Sequence, residues 1–120
     1  MAAKKVLVVE DQDDFRMVMR MIIELNGYEV VEATDGIEAI DKAEKQQPDL
    51  IFMDIGLPRL DGVAATRTIK ALGCCSDTPV FAVTAYHHVR DSAMDAGCSG
   101  IIEKPVDFSR VEQVLAQHLA

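Results

Sequence analysis

No run of apolar residues in this chain is long enough to cross a bilayer. Met1-Ala2-Ala3-Lys4-Lys5 leads through a strand-like run into acids without a small-residue cleavage site, so neither membrane insertion nor export is expected. Cysteine is scarce: Cys74, Cys75 and Cys98 lack metal-ligand spacing, and an odd number of thiols does not make a disulfide framework. A reducing compartment fits, and the cytoplasm is the expected location. Positive charge is also scarce. Twelve Lys and Arg against 20 Asp and Glu leave a net charge of −8, which excludes direct nucleic-acid binding of the kind that clustered basic residues support. Repeats and low-complexity linkers are absent, and 120 residues suffice for one hydrophobic core, so residues 1–120 are expected to form a single domain.

What the sequence does contain is organised around Leu50-Ile51-Phe52-Met53-Asp54-Ile55-Gly56-Leu57-Pro58, an apolar strand that ends in one aspartate and is then broken by glycine and proline. Such a run reads as a strand buried on both faces. A carboxylate at its end must be solvated, paired or metal-bound, because burying it alone costs several kcal/mol or forces it to take a proton. Asp54 is therefore expected to face an open site.

The rest of the chain alternates between the two regular periods. Lys5–Val9 is a strand that stops at Glu10-Asp11; from Asp13, read as the N-cap, Phe15, Val18, Met19, Ile22 and Ile23 trace one helix face, ended by Asn26-Gly27. Tyr28–Ala33 alternates in part and suits a sheet edge. Asp35 with Glu38 forms a capping box for a helix to about Gln46, with Ile37, Ile40 and Ala43 inward. Asp61 caps a third helix over 62–72, Pro79–Thr84 is a further buried strand, a helix from about His88 to Ala96 closes at Gly97, and Gly100–Glu103 is a short strand entering Lys104-Pro105. The last helix turns Phe108, Val111, Val114, Leu115 and Leu119 to one side.

Five strand–helix alternations argue for a parallel sheet with right-handed crossovers and helices on both faces. Ligands bind such sheets beyond the carboxyl ends of the strands. Glu10, Asp11, Asp54, Thr84 and Lys104 all end or follow strands, so one rim is expected to gather them. Three acids, a hydroxyl and an ammonium suit a small hard cation beside a phosphoryl group. Asp11 and Asp54 are expected as direct ligands, Glu10 directly or through water, and the Gly56 carbonyl as a backbone ligand; magnesium is the expected ion, with manganese as a substitute. With that charge neutralised, Asp54 can act as a carboxylate nucleophile on phosphorus, while Thr84 and Lys104 bond and charge-pair with the phosphoryl oxygens.

Read singly, each of these residues has a plainer role: Glu10-Asp11 as acids at a helix start, Thr84 as a strand residue, Lys104 as a solvated charge. Asp13 and Asp14 are placed outside the site, Cys98 in the core, and Cys74-Cys75 and His87-His88 outside any metal site, since adjacent helical residues do not face each other. Arg16 and Arg20 are either solvated or docking contacts.

The joint order of Glu10-Asp11, Met53-Asp54-Ile55-Gly56-Leu57-Pro58, Asp61-Gly62, Thr84-Ala85 and Lys104-Pro105 resembles the receiver domain of two-component response regulators over the whole chain. The resemblance implies a flavodoxin-like (βα)5 fold with strand order 2-1-3-4-5. It also implies phosphoryl transfer to Asp54 from a histidine of a sensor kinase or phosphotransfer protein, with magnesium, and reset by hydrolysis. On that reading the domain catalyses only its own phosphorylation and dephosphorylation. It further implies a cis Lys104–Pro105 bond and an output face on the fourth helix, fifth strand and fifth helix, remodelled as Thr84 moves. Three residues before the lysine the family usually carries Phe or Tyr; here Ile101 stands there, so the aromatic switch is absent. Tyr86 and Gly56, each two residues beyond a site residue, are read as controls on phosphoryl lifetime. Two rivals are a small-molecule phosphohydrolase or phosphotransferase using Asp54, weakened because Gly56 stands where an acid–base aspartate would, and an interaction module that no longer takes phosphate. A stand-alone regulator and a receiver excised from a hybrid kinase both fit these residues.

Overall fold

The computed structural model describes residues 3–119. Strands β1 (Lys5–Val9), β2 (Glu29–Ala33), β3 (Leu50–Asp54), β4 (Val80–Thr84) and β5 (Gly100–Glu103) alternate with helices α1 (Asp13–Leu25), α2 (Gly36–Gln46), α3 (Gly62–Ala71), α4 (Arg90–Ala96) and α5 (Phe108–Leu119). The strands form one parallel sheet in the order β2-β1-β3-β4-β5, the flavodoxin-like topology. β1, β3 and β4 are interior, and their side chains are almost wholly buried on both faces, which is why they read as continuous apolar runs. β2, the strand with exposed Glu29 and half-exposed Glu32, is an edge as its partial alternation predicts.

Two cores follow from the period of two along the strands. Val6, Val8, Phe52, Phe81 and Ile102 meet α1 and α5 through Met19, Ile23, Val111, Val114 and Leu115 on one face. Leu7, Val9, Ile51, Met53 and Ala82 meet α2, α3 and α4 through Ala39, Ala43, Ala65, Ile69 and Ala93 on the other. The small residues on that second face let the helices lie close. At about 25 cal/mol per Å² of apolar surface removed from water, these layers supply the main driving force for folding.

Several local expectations hold. The Asp35 side chain accepts the Glu38 N–H at 2.8 Å and Glu38 in return accepts the Thr34 N–H at 2.8 Å. Asp61 caps α3 by accepting the Ala64 N–H at 3.0 Å, α4 closes at Gly97 with φ +112°, and the Lys104–Pro105 peptide is cis. Others are corrected. Asp13 is the first residue of α1 and not its cap: Gln12 occupies the cap position, its N–H donated to the Glu10 carboxylate at 3.0 Å, while Asp13 pairs with Arg16 at 2.6 Å. Of the inward face expected for α2, Ala43 is buried and Ile40 packs against the core, but Ile37 is 48% exposed and Gly36 and Ala39 are buried in its stead, because Gly36 packs on the Leu60 carbonyl and so fixes the roll of α2. Val18 lies at the edge of the buried face of α1 rather than within it. The third helix stops at Ala71 and a single 3-10 turn, Gly73–Cys75, follows; the fourth begins as a 3-10 turn, His87–Val89, before Arg90.

Candidate functional site

At the carboxyl end of the sheet, Val9 pairs with Ala33 and Met53, Asp54 with Val83 and Thr84 with Glu103, so the residues that follow these strands emerge side by side. Glu10, Asp11 and Asp54 each offer a carboxylate oxygen within 4.8 Å of the others. Lys104 Nζ lies 3.3 Å from Glu10 Oε1 and 3.4 Å from Asp54 Oδ2, joining the end of β5 to the ends of β1 and β3. Thr84 is buried beside them, and its Oγ1 accepts the Tyr86 N–H at 3.0 Å. The Gly56 N–H donates to Asp54 Oδ1 at 3.1 Å, which fixes the rotation of that carboxylate. A polar cavity of about 320 Å³ opens over Asp54, Thr84 and Lys104, with Asp11, Gly56 and Tyr86 around its mouth. All five strand-end residues named from the sequence therefore share one site, and Gly56 and Tyr86 border it.

The electrostatics of the cluster are unbalanced. Burial pushes the Glu10 carboxyl up to about 7; the Gln12 N–H opposes this, and the neighbouring charge of Asp54 adds to it. Burial alone would lower the Lys104 ammonium, but the charges of Asp54 and Glu10 outweigh it and hold the group above its ordinary value. One ammonium does not neutralise three carboxylates, and uncompensated buried charge is costly. The donor set is all oxygen, two of its three acids are buried, and Gly56 brings its backbone to the same rim. These residues fit a divalent hard cation that keeps part of its water shell.

Each member is held by its own local structure. Glu10 is fixed by the Gln12 N–H, and its backbone carbonyl accepts Arg16 Nη1 at 2.9 Å. Arg16 and Arg20 are not simply solvated: both reach Glu32 on β2, at 3.3 and 2.7 Å. Ile101 is half-buried against the core of the α2–α4 face, a position from which an aliphatic side chain has no polar end to turn toward the site. Gln12, which lines the cavity and ties Glu10, was missed by sequence reasoning; its place directly after the acidic pair is the signal that points to it. The exposed apolar line Met17, Met21 and Leu25 on α1 was missed as well, although its spacing of four residues is legible. Cys98 lies in the core as read, and Cys75 is buried in the 3-10 turn, its thiol pushed up to about 11 by burial.

Residues 6–116 match the response regulator receiver domain. Among curated proteins, the chain is 36% identical over 118 residues to the polar-differentiation response regulator DivK of Brucella anthropi, covering 97% of this chain and 96% of that one. Among solved structures, the receiver domain of a sensor histidine kinase from Pseudomonas aeruginosa superposes with a TM-score of 0.90 at 34% identity, over 98% of both chains, and carries a magnesium ion coordinated in its active site cleft. The chemotaxis response regulator CheY4 of Vibrio cholerae gives a TM-score of 0.91 at 27% identity, over 98% of this chain and all of that one.

Proposed function

Because the chain belongs to the response regulator receiver domain family, we propose that its phosphoacceptor is Asp54 and that the phosphoryl donor is a phosphohistidine of a sensor kinase or phosphotransfer protein. The observation that carries this reading is a carboxylate that is nine-tenths buried yet opens on a polar cavity, with an ammonium at 3.4 Å and two further carboxylates beside it. Glu10, Asp11, Asp54 and the Gly56 carbonyl are the groups that would hold magnesium, or manganese in its place. When bound, the ion neutralises charge on the transferring phosphoryl oxygens and lowers the repulsion that Asp54 would otherwise meet.

The chain's own residues do the rest. An Asp54 carboxylate oxygen attacks phosphorus; the O–P bond forms as the P–N bond to the donor imidazole breaks, and the imidazole nitrogen keeps the electron pair and takes a proton. Lys104 leaves its pairing with Asp54 to charge-pair with a phosphoryl oxygen, an ammonium serving here as a compact point charge. Thr84 Oγ1 accepts the Tyr86 N–H, so the hydroxyl proton points away from that bond and is free to donate to another phosphoryl oxygen. Reset is attack by water on phosphorus, which returns the Asp54 carboxylate and inorganic phosphate. Tyr86 and Gly56 border that path; the ring shields and the glycine leaves its side open, so Tyr86 sets the lifetime of the acyl phosphate. The movement of Thr84 is passed to the α4–β5–α5 face, where a downstream protein or effector domain binds. The site of action is the cytoplasm, where a sensor kinase would present its phosphohistidine; no helix of the described residues is long and apolar enough to cross a membrane.

The test is incubation with acetyl phosphate, and separately with a phosphorylated sensor kinase, with and without magnesium. A magnesium-dependent, base-labile adduct on Asp54 is expected, absent in Asp54→Asn. An adduct that survives Asp54→Asn would move the phosphoacceptor elsewhere, and continuous turnover of small phosphoesters would favour an enzyme.

A further inference from the structure

The loop between β3 and α3 carries Gly56 and returns the chain to Gly62 beneath Asp54. Its inner end is tightly set: Ile55 N–H bonds the Val83 carbonyl at 3.2 Å, and Gly62 N–H bonds the Ile55 carbonyl at 3.0 Å. The outer half, residues 56–60, is different. Its backbone bonds are internal to the loop or reach only its own base, such as Leu57 N–H to the Ile55 carbonyl at 3.0 Å and Leu60 N–H to the Pro58 carbonyl at 2.7 Å. Among the described residues, beyond the Gly56 N–H on the Asp54 side chain at the loop's own base, one hydrogen-bonded tie joins that half to another part of the fold. Arg59 Nε donates to Asp35 Oδ2 at 3.0 Å and Nη2 to Asp35 Oδ1 at 3.1 Å, a forked pairing across 24 positions of sequence.

We infer that Arg59 is a positioning residue for the phosphoacceptor site: through Asp35 it holds the β3–α3 loop, and with it the Gly56 backbone, in the arrangement that divalent-cation binding requires. This rests on the function proposed above. Three features support it. Arg59 has φ +63°, a left-handed conformation that a residue with a side chain adopts at a cost, so a fixed partner is needed to keep it there. Asp35 is itself immobile, since it caps α2 through the Glu38 N–H at 2.8 Å and only 13% of its side chain is exposed. Next to it, Gly36 lies so close to Leu60 that an added Cβ would stand 2.0 Å from the Leu60 carbonyl oxygen, so the two loops are already in contact where the ion pair spans them. The fork geometry matters because an exposed ion pair contributes little unless it is bidentate and well ordered. In the order β2-β1-β3, the paired loops follow the strands flanking β1, whose end supplies Glu10 and Asp11.

Arg59→Ala removes the fork, whereas Asp35→Asn removes the charge but keeps a side-chain oxygen able to cap α2. Magnesium affinity by calorimetry, amide hydrogen exchange at Gly56, Leu57 and Leu60, and thermal stability are measured in both, in the double variant and in Arg59→Lys. Each single change is expected to weaken magnesium binding about threefold, less than the roughly 10- to 100-fold loss seen when a group bonded directly to a metal ligand is removed, because the Arg59–Asp35 pair is exposed and acts through the loop backbone. Loop amides should exchange faster while those of β3 stay as in the unaltered protein, and the melting temperature should fall by only about two degrees, as loss of one exposed ion pair does. The double variant should be no weaker than either single one, and Arg59→Lys should restore only part. Faster exchange with unchanged affinity, unchanged exchange, or additive losses in the double variant would each overturn the inference. If the unaltered protein neither binds magnesium nor takes a phosphoryl group, the assignment of the site fails and this inference with it; if it does both while the variants match it, only the inference fails.

Discussion

Between Asp54 and α3 the backbone has no slack: a Cβ on Gly62 would stand 2.2 Å from the Asp54 carbonyl oxygen, Gly36 presses on Leu60 from the side, and Arg59 closes the outer turn on Asp35. Between Thr84 and α4 the chain is built from the opposite materials. Tyr86 is 58% exposed, His87 and His88 lie in one exposed 3-10 turn, and the helix beyond has seven residues with only Ala93 and Ala96 buried. The side-chain tie there, His87 Nδ1 to Glu103 Oε1 at 3.2 Å, joins two groups that are both mostly in water. Few buried apolar contacts and an exposed ion pair mark a segment of low local stability. The contrast teaches how one site serves two demands. On the proposed function, the flank that carries Asp54 and Gly56 would have to hold them within a fraction of an ångström, while the flank that carries Thr84 would have to move at small cost as its hydroxyl turns to a phosphoryl group.

The contrast can be broken by crowding the rigid flank. Gly62→Ala sets a methyl group against backbone that cannot retreat, and a loss of about 3 kcal/mol, the upper range for overpacking, is expected in urea unfolding. Gly56→Ala meets nothing within 4 Å and should leave stability within about 0.5 kcal/mol of the unaltered protein. Lys104, which reaches from β5 to Glu10 and Asp54 between the flanks, is the next lever. Lys104→Ala should slow phosphoryl uptake from acetyl phosphate about 100-fold, as the loss of one preorganised charged donor does, read as adduct formed per minute. On the mobile flank, Tyr86→Ala should leave the melting temperature unchanged and speed loss of the acyl phosphate severalfold; an unchanged rate would remove Tyr86 as the shield.

The smallest effect sharpens the comparison through pH. The hydrogen bonds from Arg59, with the Glu38 N–H adding to them, hold the Asp35 carboxyl below its usual range. A depressed carboxylate stabilises the fold above its unfolded pKa of about 3.9, and that contribution is lost as pH falls through the lower folded value. The stability gap between the unaltered protein and Arg59→Ala should therefore be constant from neutral pH down to about 4 and close below it, measured by urea unfolding at each pH.

How much of this the sequence discloses depends on whether a residue's role is set by its strand or by a distant partner. Leu50–Asp54 and Val80–Thr84 are legible because both faces of an interior parallel strand are apolar, and a polar residue at its end has only the rim to occupy. That rule places Glu10, Asp11, Asp54 and Thr84, while Lys104 follows the edge strand β5 and joins them because all five strands run parallel to one rim. The roll of α2 was misread because two apolar faces compete there: Ile37 looks more hydrophobic than Gly36 and Ala39, and the close approach of Gly36 to Leu60 decides between them. Asp13 looked like a cap because its residue type suits one, but Glu10 had already taken the Gln12 N–H and Arg16 took Asp13. Arg59–Asp35 and Arg16–Glu32 join residues far apart in sequence, and no local period marks them. The α1 line of Met17, Met21 and Leu25 has the right spacing for a buried face and lies outside it, since Met19 and Ile23 already fill the space above the sheet.

The position of Tyr86 has one more consequence, an optical one. The chain contains no tryptophan and only two tyrosines, so near-ultraviolet emission comes from Tyr28 and Tyr86 without a stronger emitter to mask it. Tyr28 packs against the core of the α1–α5 face, and Tyr86 stands at the mouth of the cavity over Asp54. With Tyr28→Phe the molecule retains a single tyrosine, lining the same cavity as Asp54, and on the proposed function its intensity is expected to follow phosphorylation and dephosphorylation of Asp54 without a label.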